Sequence, residues 1–60
     1  MAIFRVTINT GNAAFEDNGP GSEVAEILRD LAHRCETAGL MDFPLLDTNG
    51  NRVGDTVLTA

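Results

Sequence analysis

Apolar and polar positions alternate from Phe4 to Ile8. Phe4, Val6 and Ile8 fall on one side and Arg5, Thr7 and Asn9 on the other, the period of a half-buried strand spanning Ala2–Thr10. Ile3 is the one apolar residue on the polar side. Between Ser22 and Ala38 the period changes. Val24, Ile27, Leu28, Leu31 and Cys35 recur at i, i+3, i+4, i+7 and i+11, which is one face of an amphipathic helix. Pro44-Leu45-Leu46 then opens a second strand. Asp47-Thr48-Asn49-Gly50-Asn51 carries the Asn-Gly signal of a hairpin turn, and Arg52–Thr59 returns as a third strand.

The residues between these runs act as punctuation. Thr10-Gly11-Asn12 stops the first strand. Ala13-Ala14-Phe15 is a short apolar patch from which Phe15 docks on the core as a plug. Glu16–Gly21 reads as a loop, because Gly-Pro-Gly is unsuited to the interior of a helix or strand. Ser22 is the N-cap candidate, and Gly39 the residue that ends the helix, with Leu40 folding back against Cys35. Asp30 and Arg34 form a favourable i, i+4 pair, while Glu26 and Asp30 repel at the same spacing. The missing N–H of Pro44 suits an edge strand. Asp55 lies between Val53 and Val57 on what would be one face, so a bulge near Gly54 is expected to shift the register.

These elements assemble in one way that obeys the handedness of crossovers. A right-handed β-α-β unit leaves room for one strand between its two parallel strands. The third strand is joined to the second by a hairpin and can pair antiparallel with both. The expectation is a single α+β domain over residues 1–60 with β-α-β-β order. One helix packs on a three-stranded, mostly antiparallel sheet with the C-terminal strand central. The expected core is Phe4, Val6, Ile8, Phe15, Val24, Ile27, Leu28, Leu31, Cys35, Leu45, Val53 and Val57.

Composition narrows the chemistry. A domain of 60 residues has a thin core, and the usual supports are disulfides, metals or self-association. A lone Cys excludes an internal disulfide, and no Cys/His cluster is spaced for zinc, so a homodimer is expected. The one unpaired Cys, with no leader-like or membrane-length apolar run, fits a cytoplasmic protein. Nine acids face four Arg and no Lys, a net charge of −5. Such a surface is repelled by nucleic-acid phosphate and attracted to basic partners.

No residue set has the spacing of a catalytic or cofactor site. Asp47, Asn49 and Asn51 match the first ligand positions of a calcium loop. Arg52, however, stands where that loop needs Gly, and Leu58 where it needs a bidentate Glu, so a plain turn is expected. His33 and Cys35 are two apart on a helix and point in different directions. No glycine set has phosphate-loop spacing. Glu16, Asp17, Glu23, Glu26 and Asp30 gather around the loop and the first helical turns. They are the candidate contact surface for a basic partner, with Glu23 and Glu26 expected to face solvent. No enzyme activity and no cofactor are expected.

Three segments taken together, Asn12-Ala13-Ala14-Phe15-Glu16-Asp17, Glu23–Ala32 and Asp47–Gly54, resemble a group of very small uncharacterised proteins of bacteria and their phages or prophages. The resemblance implies an accessory protein that binds or inhibits a host or phage protein, including proteins that handle nucleic acid or serve host defence. It carries no assigned site residues. The alternative is a small homo-oligomer that binds a small molecule at its subunit interface.

Overall fold

Five elements form in chain order: β1 (Ile3–Ile8), α1 (Ala13–Asn18), α2 (Pro20–Ala38), β2 (Pro44–Leu46) and β3 (Arg52–Thr59). They are seen in a computed structural model that describes residues 1–60. The three strands make one sheet in the order β1-β3-β2, with β3 antiparallel to both neighbours. The expected α+β architecture, with its C-terminal strand central and α2 as the main helix, is therefore the observed one.

The segment Ala13–Asn18, expected as a patch and loop, is a helix. Asn12 makes it possible by accepting a hydrogen bond from Ala14 N–H through its side-chain oxygen (3.2 Å), the usual service of an N-cap. Gly19, at φ 83°, breaks the chain between α1 and α2. The helix α2 then begins two residues before Ser22, because Pro20 occupies the first helical position. There its missing N–H would have had no partner in any case. Gly-Pro-Gly thus starts a helix here instead of forming a loop, and Ser22 is not the cap. At the other end the Gly39 N–H donates to the Cys35 carbonyl (2.9 Å), while Leu40 stands exposed instead of folding back.

The core consists of Phe15, Ile27, Leu31, Leu45 and Val53, with Phe4, Ile8, Val24, Cys35 and Phe43 packed around it. Phe15 is the expected plug and is fully buried. Three expected members lie outside the core. Val57 is exposed because an irregularity in the β2–β3 register lets Leu45 face Gly54 and Leu46 face Arg52, leaving Val53 as an extra residue that turns into the core. Beyond this bulge Thr56, not Val57, points at the helices. Its hydroxyl donates to the Met41 carbonyl (2.8 Å) and accepts from the Phe43 N–H (2.7 Å). Val6 and Leu28 are 40% and 45% exposed because α2 lies nearer β2 and covers the β1 side of the sheet only in part, at Phe4 and Ile8.

Candidate functional site

The five candidate acids do not form one uniform rim. Glu16 and Asp17 lie exposed on α1 and make no salt bridge. Glu26 and Asp30 lie exposed on α2, each beside a cation. Arg29 approaches Glu26 at 3.2 Å, and the Arg34 Nε donates to Asp30 at 3.0 Å. Such exposed pairs are each worth about 0.3–0.5 kcal/mol and neutralise part of the local charge.

Glu23, expected to face solvent, is only 2% exposed. One of its oxygens, Oε1, accepts from both the backbone N–H (2.8 Å) and the hydroxyl (2.6 Å) of Thr48, tying the first turn of α2 to the hairpin loop. The physical reason is register. Glu23 stands one turn before Ile27 and two turns before Leu31, at i, i+4 and i+8 on one helical stripe, and that stripe is the buried one. Glu23 is therefore a buried part of the scaffold and does not face solvent as expected.

Asp47 is its buried counterpart. Its Oδ1 accepts from the Asn49 and Asn51 N–H groups (2.9 Å each), and its Oδ2 accepts from the Asn12 side chain (2.6 Å). Asn12 thus serves both as the α1 cap and as the tie between α1 and the hairpin. Asn18, at the end of α1, donates to the Thr48 hydroxyl (3.3 Å). The Asp47–Asn51 segment is a turn whose carboxylate is already surrounded by N–H donors, which a calcium ion would have to displace. The sequence shows Asp47 starting a turn, and Glu23 falls one turn before Ile27 on the buried stripe, but nothing local names the partners that Asn12 and Glu23 find 35 and 25 residues away.

Both buried carboxylates are more acidic in the fold than in a free chain. The Thr48 hydroxyl, with help from the Thr48 N–H, holds Glu23 below its ordinary 4.5 against the opposing effects of burial and the nearby Asp47 charge. Burial pushes Asp47 upward, but the bonds from Asn51, Asn12 and Asn49 together outweigh it and hold the group below 3.8. A depressed pKa adds stability above the unfolded-state value, and that stability is lost as pH falls through the folded value. The melting temperature should therefore drop as pH falls below about 4.5. Glu23→Gln should melt lower at neutral pH and show a shallower acid decline. Parallel wild-type and variant curves across the carboxylate range would contradict this assignment.

A shallow groove of about 300 Å³ runs between α2 and the hairpin, lined by Glu26, Asp30, Asp47, Thr48, Arg34 and Leu46, with Ile27 at its wall. Thr48 joins this groove to α1, since it lines the groove and accepts from Asn18, the residue after Asp17. The acidic end of α1 is thereby continuous with a groove that holds three carboxylates and one guanidinium. A second open cleft of about 400 Å³ is lined by Asn9, Asn12, Arg52 and Asp55. His33 is exposed, whereas Cys35 packs against the core, so the two do not share a surface.

Comparison with protein-family models, curated proteins and solved structures finds no match to this chain. No helix is long and apolar enough to cross a membrane.

Proposed function

We propose that this chain is a small non-enzymatic accessory protein, of the phage or prophage type its sequence resembles. In this reading it binds or inhibits a protein with a basic surface. The observation that supports the reading is the pair Glu16 and Asp17, adjacent, exposed and without a cation of their own, joined through Asn18 and Thr48 to the groove of Glu26 and Asp30. Adjacent unpaired carboxylates repel one another, and a basic surface brought against them would relieve that repulsion. A surface that itself binds nucleic-acid phosphate is the kind of partner that fits. Direct binding of this chain to bare DNA or RNA is not expected, because like charges meet.

Charge reversal tests the reading. Glu16→Lys combined with Asp17→Lys should leave the far-ultraviolet circular dichroism and melting temperature near wild type, since both residues are exposed. The same change should weaken a partner captured by the wild-type chain at least tenfold. Unchanged affinity would remove α1 from the contact surface and leave the acidic-surface reading without support. Glu23 is unsuitable for this purpose, because its loss acts on the fold.

A further inference from the structure

We infer that two copies of this chain join edge to edge through β1, with Val6 on the two-fold axis, to form one continuous six-stranded sheet. The inference does not rest on the acidic-surface reading, since β1 carries none of those residues.

The two edges of the sheet differ. The β2 edge has three residues and begins with Pro44, whose outward carbonyl already accepts from the Arg34 Nη1 (2.8 Å). These are the devices that keep an edge from pairing. The β1 edge has six residues and no proline, and nothing covers it. Only one edge per copy is open, so pairing closes at two copies and does not propagate.

The backbone selects a register. The Asn9 N–H donates inward to the Val53 carbonyl (2.7 Å), and this direction alternates along a strand. The groups of Ile3, Arg5 and Thr7 therefore face β3, and those of Phe4, Val6 and Ile8 face the open edge. Placing Val6 opposite Val6 of the second copy pairs Phe4 with Ile8, so each outward N–H and C=O on β1 gains a partner. The side chains agree: Phe4, Val6 and Ile8 share the helix-side face of the sheet and meet only one another across the seam.

The less covered side of the fold lies beside this edge. Val6 and Leu28 stand exposed there, and so does Leu58, the neighbour of Phe4 across β3 (39%). A radius of gyration of 11.8 Å exceeds the value of about 10 Å expected for a closed 60-residue domain. A stable interface takes at least about 500 Å² from each partner, roughly one-eighth of the 4020 Å² surface here.

Charge favours the same edge. β1 itself carries no acid and one cation, Arg5, and the one acid on the adjacent β3 strand is Asp55 beside Thr7, so this edge brings two copies of net charge −5 together with little repulsion. In this register the Arg5 of one copy lies opposite Thr7 of the other and not opposite its own image. Thr7 in turn neighbours Asp55 on β3, so each arginine is directed along the row toward a carboxylate of the second copy.

Sedimentation equilibrium at micromolar concentration should give twice the 6.4 kDa chain mass. Val6→Glu should give the monomer mass with an unchanged circular-dichroism spectrum. A cross-link tests the register without altering Val6. In a Cys35→Ser background, Arg5→Cys mixed with Thr7→Cys should form a disulfide-linked dimer under mild oxidation, and each alone should not. Facing non-hydrogen-bonded residues are about 4.5 Å apart at Cα, within disulfide range. A wild-type monomer that melts cooperatively, a dimer that survives Val6→Glu in folded form, or a mixture that fails to cross-link would each overturn the inference.

Discussion

Gly54→Ala should cost about 3 kcal/mol, the upper end of the overpacking range, and leave much of the chain unfolded. A Cβ at Gly54 would lie 1.9 Å from the Thr7 carbonyl oxygen, 2.9 Å from its carbon and 3.1 Å from the Ile8 Cα. These are backbone atoms, so no side chain can swing away. The β1 and β3 strands would have to separate where the bulge brings Val53 into the core. A domain of this size has about 3–9 kcal/mol of total stability, so the change consumes much of it. Gly21→Ala is the matched control. A Cβ there meets nothing within 4 Å, and alanine favours the helix by up to about 1 kcal/mol. Urea denaturation should separate the two variants clearly. Equal midpoints would show that the β1–β3 contact is not as close as described.

Phe15→Ala should remove about 3–5 kcal/mol, the range for deleting a fully buried aromatic ring. Phe15 has no exposed surface and packs with Ile27, Leu31, Leu45 and Val53, so it joins α1 to the other helix and to two strands. The core has only five buried apolar members in its main cluster, so the loss of one ring removes a large share of it. The variant should lose its cooperative thermal transition. A loss below about 1 kcal/mol would mean that α1 is dispensable and that the core closes without it.

The strands and the main helix were legible because their signals are local. Alternation over Phe4–Ile8, helical spacing from Val24 to Cys35 and the Asn-Gly turn each fix an element within a few residues. The strand order follows from these and from the handedness rule. Two differences have local causes, the Asn12 cap of α1 and Pro20 at the first position of α2; in the others the deciding contact lies far along the chain. Asn12 caps α1 while holding Asp47, and nothing in Asn12-Ala13-Ala14 announces that bond. Glu23 looks like a first-turn acid attracted to the helix dipole, yet Thr48 makes it a buried acceptor. The awkward position of Asp55 points to a bulge near Gly54, and the structure has it at Val53. Its consequence, the exchange of Val57 for Thr56 in the interior, depends on a register that only strand pairing defines. Of the candidate contact acids, Glu16, Asp17, Glu26 and Asp30 occupy the expected surface. Only the first two lack a neighbouring cation, a distinction set by the Arg29 and Arg34 side chains.

In the proposed function, exposed carboxylates on α1 steer this chain to a basic protein. The most direct test is the association rate with a captured partner, measured over a range of salt concentrations for wild type and for the Glu16→Lys, Asp17→Lys double variant. Attraction between exposed charges is screened over about 8 Å at physiological ionic strength, so it acts mainly on the rate of encounter. The wild-type rate should fall steeply as salt rises, and the variant should associate slowly with a much flatter dependence. A wild-type rate that ignores salt, or a variant with the same slope, would contradict the claim.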